Sequence, residues 1–246
     1  MPSRVVINVA STPHTRKGQD RLKAKLDEMG EELVRFRSLP LGWPSHEAVP
    51  FAFKAHALHV VELQYDTLLW CDASILPVRS LEPVWEKIER DGYLLMNNGF
   101  ANATWTADSA YPDLFGVDRE LWGGGGEDSV RETNRSIPHT VGGFFGLSMK
   151  HDNGRAFLAE LYRLASETKA FCGPWWNSNN PEYADKPGAA RCGPPDVKGH
   201  RHDQSAMSVI AWRLGMKLSD CPDYFVYGKA EQATDPRTCV VADGDY

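Results

Sequence analysis

An α/β fold with a mixed, mostly parallel central sheet flanked by helices is predicted from three features of this 246-residue chain. Arg4–Thr12, "RVVINVAST", is a β-branched run closed by polar turn residues, the pattern of a strand buried on both faces. Strand-like and helix-like segments then alternate over the first hundred residues, which is the signature of a parallel sheet with helical crossovers. Finally, the apolar run at Thr67–Trp70 ends in an acid, Asp72, and ligands in such sheets bind just beyond the carboxyl ends of strands.

The elements follow in order. After the first strand, "QDRLKAKLDEMG" places Leu22, Leu26 and Met29 on one helical face, and Gly30 stops it. "LVRFRS", Leu33 to Ser38, alternates as a second strand, so the opening is a β-α-β unit with a right-handed crossover. Phe51–Leu63 is expected to be helical, with Phe53, Ala57, Val60 and Val61 on one face and Lys54 near its start. "TLLWCDASILPV", Thr67 to Val78, is the next strand. Leu81, Val84, Trp85 and Ile88 fall at helical spacing. Tyr93–Asn98 and Thr140–Met149 read as strands, and Phe157, Leu158, Leu161, Leu164 and Ala165 mark a helix. Met207, Ile210, Ala211 and Leu214 mark the last clear helix, and Tyr224–Gly228 a short final strand. Two long segments, Gly99–His139 and Phe171–Arg201, break the alternation. They are rich in Gly, Pro, Asn and aromatics, including Trp105, Tyr111, Trp122, Trp175, Trp176 and Tyr183. Loops beyond about 12–15 residues in a compact domain tend to be functional or disordered; the aromatics favour ordered walls around a site, with plain surface excursions as the alternative.

Composition narrows the class. Hydrophobic residues make up 42% and charged residues 24%, with a formal charge of -6, so no global basic field for nucleic acid exists. No apolar run approaches a membrane span, no secretory leader is expected, and five scattered cysteines without a CxxC pair suit a reduced, cytoplasmic setting. Cys172 and Cys192 are the one pair that could bridge a loop.

Asp72 is the first candidate for chemistry. A carboxylate at the mouth of a core needs a partner or a ligand. It could hold a divalent cation against phosphates, since Mg²⁺ and Mn²⁺ take hard oxygen ligands; it could equally cap a turn or pair with Arg79. Ser74 would share its side if the strand persists. The second cluster is "GHRHDQSAMSVIAWRLG", residues 199–215. Asp203 suits a helix N-terminus by capping alone, which leaves His200, Arg201, His202 and Gln204 crowded beside it. The histidines could ligate a metal, Arg201 could hold a diphosphate, and Asp203 could act as a general base. Gly142 and Gly143 in "TVGGFFGLSM" either admit a close ligand or mark a β-bulge. The Gly123–Gly126 run lacks the residues of a phosphate loop, and His56 with His59 lacks a third zinc ligand.

Taken in order, "FAFKAHAL", "YDTLLWCDASI", "HTVGGFFGLSM" and "RHDQSAMSVIAW" make the chain resemble a nucleotide-sugar-dependent glycosyltransferase of the GT-A fold, from about Val5 to Met216. The resemblance implies a Rossmann-type single domain over 1–246 with long loops. Residues 1–98 would form the nucleotide-sugar half and 99–246 the acceptor half. It implies that Val9, Ala10, Ser11 and Thr12 line the nucleotide, that Lys54 approaches the nucleotide or sugar, and that Asp72 opens a DxD-type motif holding Mn²⁺ or Mg²⁺. Gly142 and Gly143 would lie under a sugar, with Arg201 and Gln204 nearby. Asp203 would be the base of an inverting member, and His200 or His202 a late metal ligand. Ser74 departs from the motif's second Asp and weakens the expected ion site.

The implied partners are a nucleotide-diphosphate sugar, UDP-sugar favoured, and a hydroxyl acceptor. That acceptor is a saccharide or, as in a phage-type sublineage the chain resembles, a hydroxymethylated base in DNA. The rivals are a nucleotidyltransferase on a similar sheet, for which "ASTPHTRKGQ" is poor in glycine, and a non-catalytic sugar-nucleotide or glycan-binding module.

Overall fold

The computed structural model describes residues 3–116 and 126–244, without the side chains of 126–128. Strand β1 (Arg4–Val9) leads into α1 (Pro13–Met29), opened by a reciprocal cap between Thr12 and Thr15 and closed by Gly30 at φ 73°. Then come β2 (Leu33–Phe36), α2 (Ala52–Val61), β3 (Thr67–Cys71), β4 (Ile75–Pro77), α3 (Glu82–Asp91) and β5 (Tyr93–Ala101). Helices α4 (Tyr111–Phe115) and α5 (Gly126–Ser136) precede β6 (Pro138–Ser148), α6 (Asp152–Glu167), α7 (His202–Arg213), β7 (Tyr224–Tyr227) and β8 (Thr238–Ala242).

The main sheet has the order β2-β1-β3-β6-β5. β1 pairs in parallel with β2 and β3, while β6 runs antiparallel to both of its neighbours, β3 and β5. Four of the five strands therefore share a direction, and the sheet is mixed and mostly parallel, as the alternation predicts. A second, three-stranded sheet, β4-β8-β7, lies beside it.

Alternation along the strands sends successive side chains to opposite layers. Val5, Ile7, Leu68, Trp70, Phe145 and Leu147 face a layer built from α2, α6 and α7, into which Phe157, Leu158, Leu161 and Ile210 are also buried. Val6, Leu69, Cys71 and Phe144 face the other layer with Leu22 and Leu26 of α1 and Val84, Trp85 and Ile88 of α3. Each such fully buried aliphatic contributes roughly 1.5–3 kcal/mol. This parity decides the site, because Asp72 continues the 68-70-72 series toward α2 and α7.

Two expectations need correction. The Thr67–Val78 run is not one strand: the Ile75 amide bonds back to the Asp72 carbonyl at 2.9 Å, and the chain turns there to join the second sheet as β4. Gly99–His139 is not a bare loop. It holds short 3₁₀ turns and the helices α4 and α5, with Asn102, Asn134 and Tyr111 linked by buried hydrogen bonds. All five cysteines are free thiols, as their scattered pattern suggests, and Cys172 and Cys192 do not pair. Trp122 and Gly123, Gly124 and Gly125 lie outside the described residues. No helix among the described residues is long and apolar enough to cross a membrane.

Candidate active site

Four stretches of chain converge at the carboxyl end of β3. Trp70 and Asp72 come from β3 and its turn, Lys54 from the first turn of α2, Gly142 and Gly143 from β6, and Arg201 to Gln204 from the start of α7. With Phe51 and Trp175, all of these except Trp70 line a cleft of about 240 Å³.

Lys54 is at its centre and is almost fully buried. Its Nζ donates to the Gly142 carbonyl at 2.8 Å, lies 2.9 Å from Asp203 Oδ2, and lies 3.3 Å from both Asp72 oxygens. The Asp203 contact is an ion pair whose angles fall outside hydrogen-bond geometry. Burial pulls the Lys54 ammonium toward neutrality, but the two carboxylates outweigh it and hold its pKa above the usual lysine value. Burial lifts Asp203 above the ordinary carboxylate range, with Lys54 opposing. Asp72 is the more open carboxylate, its side chain 32% exposed against 5% for Asp203. Its Oδ1 accepts from the Trp70 indole at 2.8 Å and its amide donates to the Gly143 carbonyl at 2.8 Å.

The two glycines make this approach feasible. A Cβ at Gly142 would sit 2.7 Å from Gln204 Cγ and 2.8 Å from Asp203 Oδ2, and one at Gly143 would sit 3.1 Å from Asp72 Oδ2. They bring β6 against the acids, and the β5–β6 register also shifts across this stretch, between the pairs Leu95–Phe145 and Asn97–Thr140, so the close approach and the irregular pairing coincide. Strain gathers here too: Phe51 at φ 61° and His202 at φ 42° are non-glycine residues in the left-handed region, both lining the cleft. Such conformations cost on the order of 1–3 kcal/mol and persist where surrounding structure enforces them.

Arg201 closes one side. Its guanidinium stacks on Trp105, Trp175 and Trp176 at 3.9, 4.8 and 4.7 Å, and Nη1 donates to the Trp175 carbonyl at 2.9 Å. Among the described residues no carboxylate pairs with it. Burial lowers its pKa to about 10, which still leaves it charged at neutral pH. The two long aromatic segments are zipped together beside it, with Lys198 N bonded to Thr104 O and Arg201 N to Trp105 O.

The remaining sequence candidates are placed as follows. His200 is fully buried; Nδ1 accepts from the Ala107 amide and Nε2 donates to the Ala170 carbonyl, so it has no lone pair for a metal. His202 donates Nδ1 to the Phe171 carbonyl and leaves Nε2 buried without a partner. Val9 and Ala10 are buried in the sheet core, while Ser11 and Thr12 are exposed beyond β1, which neighbours β3; the Thr12 hydroxyl is used in capping α1. Ser74 is not among the lining residues, because the turn after Asp72 carries it away, and its carbonyl accepts from Asp243. Arg79 donates to the carbonyls of Thr238 and Ala233, not to Asp72. His59 pairs with Glu62, away from any third ligand. Sequence reasoning missed Phe51 as a lining residue; its aromatic side chain three residues before Lys54 was the available signal.

A divalent ion fits this donor set poorly. Among the described residues no three His, Cys, Asp or Glu side chains come together to hold a metal, and the position between Asp72 and Asp203 is taken by the Lys54 ammonium.

No family model matches the chain, and no curated protein matches it. One solved structure that is similar, described as a glycosyltransferase involved in the glycosylation of the major capsid of PBCV-1, aligns with a TM-score of 0.40 and 14% identity over 79% of this chain and 83% of that one. At that similarity nothing about the chemistry follows from it.

Proposed function

We propose that this chain is a glycosyltransferase of the hexosyl type, moving a sugar from a nucleotide-diphosphate donor to a hydroxyl acceptor. The observation that carries it is the convergence of Asp72, Asp203, Lys54 and Arg201 on one cleft at the carboxyl end of a parallel strand. That is where open α/β sheets bind ligands. The cleft has room for one sugar ring, with the nucleotide extending over the exposed ends of β1 and β3 at Ser11 and Thr12.

In the transfer, the bond from the anomeric carbon to the diphosphate oxygen breaks as the acceptor oxygen bonds to that carbon, through an oxocarbenium-like transition state. Arg201, held flat by three indoles, meets the charge growing on the diphosphate with a planar fork. Asp203 takes the acceptor proton, a contribution worth about 10²–10⁴ in rate, and the resulting geometry is inverting. Lys54 opposes the burial that raises the Asp203 carboxyl and cancels charge that would otherwise repel the donor. Asp72, the open carboxylate, accepts from sugar hydroxyls. Trp175, 40% exposed, offers a flat face to the acceptor. A saccharide fits the acidic surface best, and a hydroxymethylated base in DNA is the second acceptor class.

The test is a panel of UDP-, GDP-, CMP- and dTDP-sugars, followed by thermal shift and by release of free nucleotide, UDP-sugars first, with glycan and hydroxymethylated-DNA acceptors. Slow donor hydrolysis that Asp72→Asn and Asp203→Asn abolish is the expected outcome. Donor binding with no nucleotide release over hours would make the protein a sugar-nucleotide-binding module instead.

A further inference from the structure

The centre of the cleft is an all-oxygen cage: two carboxylates and the Gly142 carbonyl around one point. Hard oxygen donors of that kind suit Mg²⁺ or Mn²⁺. The point is filled by a side chain of the protein itself. We infer that Lys54 is a built-in counter-ion standing where a bridging dication would sit, so that the native cleft binds no divalent cation, and that removing its ammonium converts the Asp72–Asp203 pair into a divalent-cation site.

Three features support this. First, Lys54 reaches all three oxygen groups at 2.8–3.3 Å, donating hydrogen bonds to the Gly142 carbonyl and Asp72 and pairing its charge with Asp203. Those distances suit an ammonium, whereas Mg²⁺ needs ligands at about 2.0–2.1 Å. Second, the ammonium is held in place: it lies 4.9 Å from the Phe51 ring and 5.7 Å from the Trp70 ring, and its α2 neighbours Ala55 and Leu58 are buried in the core. Moving it aside would bury an unpaired charge. Third, no further side chain completes a ligand set. His200 spends both ring nitrogens on backbone groups, Ser74 is turned away, and His202, whose Nε2 is unpartnered, does not come together with Asp72 and Asp203 as a group of three among the described residues. A dication entering beside Lys54 would face a like charge at contact distance with only two carboxylates to share.

The departure of Ser74 from the expected second carboxylate then has a physical counterpart. A site whose counter-charge is covalently attached has no need of another acid. The inference rests on the cage geometry and is read out without any substrate, so its failure and that of glycosyl transfer are separable.

The experiment is a Mn²⁺ titration followed by the loss of the free-ion electron paramagnetic resonance signal, on the wild type, Lys54→Ala, and the double variant Lys54→Ala/Asp203→Asn. The wild type is expected to leave the free signal unchanged. Lys54→Ala should take up one equivalent, at least about tenfold more tightly than the wild type, as hard-oxygen sites bind such ions. The double variant should lose that gain. Should Lys54→Ala be unfolded without metal, its melting in the presence of Mn²⁺ supplies the same comparison, since a cation bound only by the folded form raises Tm. Stoichiometric Mn²⁺ uptake by the wild type that Asp72→Asn removes would overturn the inference, as would a Lys54→Ala protein that gains no affinity and no Tm.

Discussion

Lys54 on α2 donates to the carbonyl oxygen of Gly142 on β6 at 2.8 Å, joining two elements 88 residues apart at the point where α7 also arrives. Position 142 is therefore closed to any side chain: a methyl there meets Gln204 Cγ at 2.7 Å and Asp203 Oδ2 at 2.8 Å. Gly142→Ala should push the start of α7 outward. Overpacking of this kind costs about 1–3 kcal/mol, and a displacement near 1 Å at a reacting group costs on the order of 10² in rate. Gly143→Ala, at 3.1 Å from the more exposed Asp72 carboxylate, should be milder on both counts. Urea titration and initial rates of donor hydrolysis on the two variants give the comparison; equal behaviour would mean that α7 yields without disturbing Asp203.

Lys54 and Asp203 should be strongly coupled in stability. Both are buried, so removing one leaves the other as an uncompensated charge, a loss of about 3–5 kcal/mol. Lys54→Met leaves two acids facing each other, and Asp203→Asn leaves the ammonium with only Asp72. The double variant Lys54→Met/Asp203→Asn should be destabilised by less than the sum of the singles, by roughly 2 kcal/mol or more. Additive losses would mean that the pair is solvated and not a buried bridge.

Most of the main sheet and its flanking helices were legible in the sequence because periodicity reports which side of an element meets the core, although Val60 and Leu214, expected on apolar faces, are exposed. Phe157, Leu158, Leu161, Leu164 and Ala165 fall on one face by spacing and are all buried. The same logic places Asp72 on the side of α2 and α7 once β3 is known to end at Cys71. What spacing does not carry is the partner across the cleft. Lys54 is read easily as a helix-start residue, yet that it lies between Asp72 and Asp203 depends on the order of β3 beside β6, a long-range fact. The turn at Asp72–Ile75 was obscured because Ile75, Leu76 and Pro77 continue the apolar pattern while belonging to another sheet. His200 is a related case: its sequence neighbours suggest a ligand, while its hydrogen bonds to Ala107 and Ala170 make it a brace between two loops.

Arg201 should matter for the donor more than for the fold. Its flat guanidinium is matched to Trp105, Trp175 and Trp176, and a lysine keeps the charge while losing both the stacking and the fork. Arg201→Lys is expected to raise KM for the nucleotide-diphosphate sugar by about 10-fold, the equivalent of about 1.5 kcal/mol for one lost hydrogen bond to a charged group. Tm should fall by about 2–4 °C for the lost stacking on the protein's own tryptophans. An unchanged KM with a fallen Tm would make Arg201 a structural prop for the tryptophan wall.

Stability should fall steeply in mild acid, for a reason located in three histidines. His139, His200 and His202 are buried, and burial holds their pKa values at about 3, 3 and 4. In the unfolded chain each returns to about 6.5. The folded values are depressed, so the neutral rings contribute stability that is complete above pH 6.5 and is lost as pH falls toward 3–4. Near pH 5 the unfolded chain binds almost three more protons than the folded one, which sets a slope of up to about 4 kcal/mol per pH unit. Asp203 works in the opposite sense, because its raised carboxyl takes up a proton in the folded state as pH drops. Urea unfolding at pH 7.0, 6.0 and 5.0 should therefore show a loss of about 2 kcal/mol over the first step and of nearly twice that over the second. His200→Gln, which keeps a donor and an acceptor in the same position, should flatten the slope by about one proton. A profile flat from pH 6.5 to 4.5 would mean that these rings are reached by water, and with it that the aromatic walls beside the cleft are open.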